Sequence, residues 1–227
     1  DEAEAHRLRQ HYWQRYGATL HGLQRHHAVA PKHFLTRTHP LSALLPLLEK
    51  PAGVGQLLRC LPGRKVVFSN GPKHYVEAVT KKLGLHPHLL AHFGVECLRL
   101  RPKPKQAAYL TVLHRLGVRG ADCVMVEDTV ENLRPAKQLG MTTVWLHQQP
   151  RRPPYVDYRI TALPQLAHHV VERGMAFLAQ GEVQAQGDQG ALGVVAHGGV
   201  GGVLVRAVVL DPGIAAGIGH ALHMAPG

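Results

Sequence analysis

The sequence predicts an α/β protein in which a helical module precedes a parallel sheet. From about residue 56, apolar runs that suit buried strands alternate with amphipathic segments, which is typical of parallel βαβ units with right-handed crossovers. Before that point, residues 1–50 show helical spacing and no strand pattern. Ligands bind at the carboxyl ends of the strands in open parallel sheets, so polar residues at those ends are the candidates for function.

The individual elements follow from these patterns. In the first 50 residues, a helix is predicted to end at Gly17, a residue suited to a left-handed C-cap, and shorter helices follow with turns at Pro31 and Pro40. The later predicted elements, in chain order, are a short helix at 54–63, a strand at 64–70, a helix at 72–85, a short strand around Val95, a helix at 105–118, a strand at 122–128, a helix at 130–141, a strand at 142–147 and a strand–helix pair at 158–174.

Composition limits the classes of function. The 227 residues carry a formal net charge of +11, which suits an anionic partner. Nucleic-acid binding is not expected as the main function, because no reader motif is present and aromatic residues make up only 5% of the chain. The isolated Cys60, Cys97 and Cys123 favour reduced thiols over disulfides or a zinc site. No stretch suits a bilayer span or a signal peptide, so we expect a cytoplasmic protein without membrane contacts.

Residues 180–227 differ from the rest, being rich in Gly, Ala and Val with few charges and no clear period. Three interpretations stay open: a glycine-rich linker followed by weak strands, a disordered tail, or a segment that is not native coding sequence. No function is assigned to this tail.

The first polar point is Ser69-Asn70-Gly71, which follows the apolar run of the first strand. A hydroxyl and backbone amides at the opening of a helix can hold a phosphoryl oxygen. An ordinary helix cap at Ser69 or Asn70 explains the pattern equally well.

The second point is Lys103, which lies between two prolines that hold the segment extended. A lysine fixed in this way can neutralise an anionic site, and the alternative is a solvated loop lysine.

The third point is the pair Glu127-Asp128, directly after a hydrophobic strand. Such carboxylates are ligands for Mg²⁺ together with phosphate oxygens and water, and the alternative is an N-cap for the next helix. Taken in this order, a hydroxyl, a lysine and an acidic pair predict a phosphate-plus-Mg²⁺ site.

Three segments carry a family resemblance: "VVFSNGPKHYVEAVTKKLG", "RPKPKQAAY" and "VMVEDTVENLRPAKQLGMTTVWL". They resemble motifs two, three and four of the haloacid-dehalogenase-like (HAD) hydrolases, and are most similar to the bacterial pyrimidine 5′-nucleotidase branch. The resemblance covers about residues 1–174. It implies a Rossmann-like parallel sheet with a helical cap. We therefore divide the chain into a cap module (1–50) and an α/β core (51–179), and the change in composition sets apart the tail (180–227).

The resemblance also implies an activity, namely Mg²⁺-dependent hydrolysis of a small phosphate ester, a nucleoside monophosphate, through an aspartyl-phosphate. Carried over by position, Ser69 would bind the phosphoryl group, with the amide of Asn70 and Gly71 beside it. Lys103 would stabilise the charge. The same resemblance assigns Mg²⁺ to Asp128, a ligand or neighbouring role to Glu127, and a supporting role to Asn132, the last of the implied site residues.

One departure is serious. The family's first motif, Asp-x-Asp-x-Thr, should precede the cap and supply the nucleophile, but the sequence does not contain it, and "GADCV", "YVDYR", "QGDQG" and "VLDPG" lack the pattern. We therefore expect an incomplete core with unpaired strand edges at its centre, and an inactive chain as written. The alternative function is a non-catalytic pseudoenzyme that binds nucleotides or RNA.

Overall fold

The structure, a computed structural model, describes residues 1–49, 52–171 and 207–210. Its α-helices, α1 to α9, are Glu2–Tyr16, Thr19–His27, Pro31–Thr38, Leu41–Leu44, Val54–Cys60, Lys73–Lys82, Gln106–Leu116, Val130–Gln138 and Pro164–Val171. Its strands, β1 to β6, are Arg64–Phe68, Ala91–Phe93, Cys123–Glu127, Thr142–Leu146, Tyr158–Ile160 and Ala207–Leu210. Short 3₁₀ turns lie at Leu45–Leu47, His86–His88, Val95–Leu98 and Gly120–Asp122. Within these ranges, no helix is both long enough and apolar enough to cross a membrane.

The first helices begin and end where the sequence indicates. The Asp1 carboxylate accepts a hydrogen bond of 2.7 Å from the Glu4 N–H at the start of α1, and Gly17 ends this helix with a φ of 74°. Pro31 is the first residue of α3, and Pro40 lies directly before α4. All described elements of the first 50 residues are helical, as predicted.

A small apolar cluster joins these helices to the rest of the protein. Leu20 of α2 and Leu35 of α3 pack with Val95, which follows β2. Leu48, further along the chain, is part of a core cluster beside the sheet. The helical module is therefore held against the segment that carries the carboxyl end of β2.

The sheet is parallel throughout, with the strand order β2-β1-β6-β3-β4-β5. This confirms the predicted Rossmann-like α/β class, and β1, β3, β4 and β5 lie where the sequence predicts strands. One local prediction is wrong: the short strand ends at Phe93, and Val95 begins a 3₁₀ turn. Glycine is required at position 94 because an added Cβ would lie 2.4 Å from the Lys73 nitrogen.

The centre of the sheet is formed by a strand from the tail. β6 pairs with β1 and with β3, and Leu210 is in register with both Val67 and Val126. The expectation that the edges of β1 and β3 lack a partner is therefore wrong, because Ala207–Leu210 occupies that position. The remainder of the tail prediction (180–206 and 211–227) lies outside the described residues.

Both faces of the sheet are covered, so its strands are apolar almost throughout. Side chains alternate along each strand, and two core clusters result. The cluster on one face includes Val67, Val124, Val126, Val144 and Ile160. The cluster on the other face includes Val66, Phe68, Cys123, Met125 and Trp145. Because all strands run in the same direction, the residues after Phe68 and at the end of β3 meet at one edge.

Candidate active site

The turn after β1 is fixed by hydrogen bonds to β2 and within itself. The Ser69 N–H donates to the Phe93 carbonyl oxygen at 2.9 Å, and the Val95 N–H donates to the Gly71 carbonyl oxygen at 2.9 Å. The buried Ser69 hydroxyl oxygen accepts a hydrogen bond of 3.0 Å from the Gly71 N–H. This network holds the hydroxyl at the carboxyl edge of the sheet.

Ser69 and Asn70 do not cap the following helix. The N-cap of α6 is Pro72, which makes no side-chain cap hydrogen bond. The Lys73 N–H instead donates to a carboxylate oxygen of Glu96 at 2.8 Å. The alternative interpretation of this turn as an ordinary helix cap is therefore wrong. Glu96 was not predicted, since it lies outside the local sequence of the helix that it caps.

Lys103 is buried, and the alternative of a solvated loop lysine is wrong. Only 2% of the residue is exposed. Its Nζ donates to the Phe68 carbonyl oxygen at 2.9 Å and to Glu127 Oε2 at 2.5 Å. The ammonium also lies 5.0 Å from the centre of the Phe68 ring. Lys103 therefore joins the end of β1 to the end of β3 and places a positive charge at the sheet edge.

The main chain of Lys103 is held by Asn70. The Asn70 Nδ2 donates to the Lys103 carbonyl oxygen at 3.0 Å, and the Lys103 N–H donates to Asn70 Oδ1 at 2.7 Å. The sequence prediction placed these two residues at one site, and the structure brings them into contact. The side-chain contact itself was not predicted.

The two adjacent carboxylates have different surroundings. Glu127 is 1% exposed, and its Oε1 accepts the N–H groups of Asp128 and Thr129, each at 3.2 Å, while Oε2 faces Lys103. Asp128 is half-buried, and its Oδ1 accepts the Thr129 hydroxyl at 3.3 Å. The N-cap of α8 is Thr129, without a side-chain cap hydrogen bond, so neither carboxylate serves as the predicted alternative cap.

Asp128 fits a metal-binding role better than Glu127 does, because both oxygens of Glu127 are engaged by protein donors. Mg²⁺ in phosphate sites is commonly held by one or two carboxylates with phosphate and water, and Asp128 suits that arrangement. Among the residues that the structure describes, no group of three or more His, Cys, Asp or Glu side chains is arranged to hold a metal ion.

Asn132 and Tyr109 support the wall of the site. Asn132 is buried in the first turn of α8, and its carbonyl oxygen accepts the Tyr109 hydroxyl at 2.6 Å. The Tyr109 ring meets the Phe68 ring edge to face at a centroid distance of 5.2 Å. Burial raises the pKa of the Tyr109 hydroxyl, which therefore stays protonated as a donor. Tyr109 was not singled out from the sequence, where it reads as one apolar position of α7.

The structure thus groups Ser69, Asn70, Lys103 and Glu127 at one edge, with Asp128 directly after β3. β6 ends at this edge too, because Leu210 is in register with Val126. The aspartate that follows β6 in the sequence lies outside the described residues. This edge presents a hydroxyl, a cation and a carboxylate, which suits the binding and stabilisation of a multiply charged oxyanion.

Two solved structures support the parallel α/β fold described above. The chain is similar to an L-2-haloacid dehalogenase from Xanthobacter autotrophicus with chloropropionic acid covalently bound, at a TM-score of 0.55 and 20% identity, covering 77% of this chain and 85% of that one. It is also similar to a HAD phosphatase from Thermococcus onnurineus, at a TM-score of 0.51 and 24% identity, covering 60% of this chain and 64% of that one. For another structure of the Xanthobacter dehalogenase, with a TM-score of 0.48 and 23% identity, the match covers 54% of this chain and 60% of that one.

The sequence comparison extends over the first helices and three of the six described strands, β1 to β3. Residues 6–140 match the family described as haloacid dehalogenase-like hydrolase, which is more than half of the chain. This segment contains Ser69, Lys103 and Asp128. The chain therefore belongs to the haloacid dehalogenase-like hydrolase family.

Proposed function

We propose that this chain is built to bind a small phosphate monoester, a nucleoside monophosphate, with Mg²⁺, as the pyrimidine 5′-nucleotidase branch of the family does. The observation that carries the proposal is the buried Lys103, held between the ends of β1 and β3. A fixed cation at the place where phosphoryl oxygens gather charge is the main requirement of phosphoryl transfer. The formal charge of +11 favours anionic ligands in general.

The residues take separate roles in this proposal. Ser69, with the N–H group of Asn70, binds the phosphoryl oxygens, and the Gly71 N–H beside them holds the Ser69 hydroxyl. Lys103 stabilises their charge, and Asp128 holds the Mg²⁺, which would neutralise the phosphate. Glu127 fixes Lys103, and Asn132 supports the loop that follows β3.

Turnover needs a carboxylate nucleophile, and the sequence contains no Asp-x-Asp-x-Thr motif. We therefore propose that the chain as written binds its ligand without hydrolysing it. Asp211 follows β6 directly in the sequence and lies outside the described residues. If turnover is observed, Asp211→Asn tests whether this carboxylate is the nucleophile.

The test measures binding and phosphate release separately. Calorimetry with uridine monophosphate should show binding that depends on Mg²⁺, and Asp128→Asn should lose that dependence. The matched control is Glu131→Gln, because Glu131 is exposed in the first turn of α8 and loses the same charge. Unchanged Mg²⁺ dependence in Asp128→Asn would refute the metal assignment.

A second function, RNA binding without catalysis, is favoured only by the missing motif and the positive charge. Titration of a labelled single-stranded RNA distinguishes it, because binding through phosphates weakens steeply with salt. Tight, salt-dependent RNA binding without any nucleotide binding would replace the proposal made above.

A further inference from the structure

The Asn70 side chain makes a two-point contact with a residue far away in the sequence. Its Oδ1 accepts the Lys103 N–H at 2.7 Å and its Nδ2 donates to the Lys103 carbonyl oxygen at 3.0 Å. Asparagine in turns commonly bonds to its own neighbouring main chain, which would require no functional explanation. Here both polar groups of the amide are directed to a single residue of another loop.

This contact fixes the one main-chain N–H in its segment. The residues on either side of Lys103 are Pro102 and Pro104, which have no N–H to donate. Asn70 therefore satisfies the only donor between them. It holds the peptide groups from which the long Lys103 side chain extends.

The position of the Lys103 ammonium depends on where its main chain lies. A lysine side chain has four rotatable bonds, so its own stiffness does not fix the ammonium. In the structure the ammonium meets two acceptors at once, the Phe68 carbonyl oxygen and Glu127 Oε2. Keeping both contacts requires that the main chain of Lys103 stay in one place relative to β1.

We infer that Asn70 is a positioning residue, whose side-chain amide clamps the main chain of Lys103 and thereby fixes its ammonium at the sheet edge. The family resemblance assigned Asn70 to phosphate binding through its own main-chain amide. That role uses the N–H and leaves the side chain free for the clamp. The consequence for catalysis rests on the proposed function, whereas the clamp itself does not.

The direct test follows the Lys103 N–H by hydrogen exchange, measured by NMR on the full chain. Asn70→Ala removes the acceptor, and exchange at this N–H should accelerate about tenfold or more, while the amides of β3 stay protected. Asn70→Asp keeps the acceptor, and protection of the Lys103 N–H should be retained. Gln106→Ala, at an exposed position of the same segment, should leave exchange at the Lys103 N–H and at the amides of β3 unchanged. Unchanged exchange in a folded Asn70→Ala variant would overturn the inference.

A second readout follows the ammonium. Acetic anhydride labels accessible lysines, and mass spectrometry compares Lys103 with the exposed Lys105 in the same peptide. Labelling of Lys103 should rise several-fold in Asn70→Ala and in Asn70→Asp, because both lose the hydrogen bond to the Lys103 carbonyl oxygen. If Asn70→Ala does not fold, the Asp variant carries the test alone. Protection of Lys103 equal to that of the unaltered protein would contradict the clamp.

Where hydrolysis is detected, kinetics separate the two roles of Asn70. Misplacement of a charge-stabilising group by about 1 Å can cost roughly a hundredfold in rate. Asn70→Ala should therefore lower kcat about a hundredfold and leave KM nearly unchanged. A raised KM with unchanged kcat would assign the side chain to ligand binding instead. If no hydrolysis or nucleotide binding is found at all, the proposed function fails, and the exchange and labelling results still decide the clamp.

Discussion

The pair formed by Lys103 and Glu127 offers a quantitative test of the site. Each side chain is 1% exposed, and Nζ lies 2.5 Å from Oε2. Removing one member of a buried ion pair costs about 3–5 kcal/mol, because the remaining charge loses its partner while still buried. We therefore expect Lys103→Met and Glu127→Gln each to lower the free energy of unfolding by about that amount. For a chain of this size, the midpoint of thermal unfolding should fall by roughly 6–20 °C.

The double variant shows whether the two losses share one cause. If both losses arise from the same contact, the double variant Lys103→Met with Glu127→Gln loses less free energy of unfolding than the sum of the two single variants, by about 1–3 kcal/mol. The assay is urea unfolding at pH 7, followed by tryptophan fluorescence. The control is Lys73→Ala, because Lys73 contacts Glu77 at 3.6 Å with side chains that are 53% and 38% exposed. That exposed pair should contribute at most about 0.5 kcal/mol. Additive effects, or single losses below about 1 kcal/mol, would refute the assignment of a strong buried pair.

Two further predictions concern ionisable groups away from the site. Burial raises the pKa of Asp157, but hydrogen bonds from Lys137 and Thr143 outweigh it, and the net pKa lies below its usual value. Asp157→Asn should therefore cost stability at pH 6, and this difference from the unaltered protein should vanish as the pH falls below about 4; urea unfolding that shows a constant difference would contradict this. Burial raises the pKa of the Cys123 thiol to about 11. Iodoacetamide at pH 8 should therefore modify the exposed Cys60 long before Cys123, and mass spectrometry showing equal rates would disprove it.

The sequence predicted most of the elements and the edge where the candidate site lies. Apolar runs with polar ends at Ser69 and Glu127 predicted two parallel strands, and the topology of such sheets brings their carboxyl ends together. The pattern of "DCVMVED" also predicted correctly that a carboxylate ends a strand that is buried on both faces. The same pattern did not distinguish the role of Glu127, which faces Lys103, from that of Asp128.

What the sequence did not predict depends on distant contacts. The cap on α6 comes from Glu96, and the clamp on Lys103 comes from Asn70; neither pairing follows a local spacing rule. For the tail, the sequence left weak strands as only one of three open interpretations, so β6 was not predicted specifically. Its residues lie in a segment rich in Gly, Ala and Val, where composition gives no period, and its strand conformation depends on the pairing offered by β1 and β3.

The place of β6 in the sheet has a consequence for how the protein is made. The ribosome synthesises β1 to β5 before residues 207–210, so the facing edges of β1 and β3 have no partner strand until then. Closing the centre then joins Val67 to Leu210 across most of the chain, which is slow because of the entropy of the long loop. During that interval the two halves of the sheet are exposed to pairing with other nascent chains. Production of the protein should accordingly be sensitive to temperature and to the supply of chaperones.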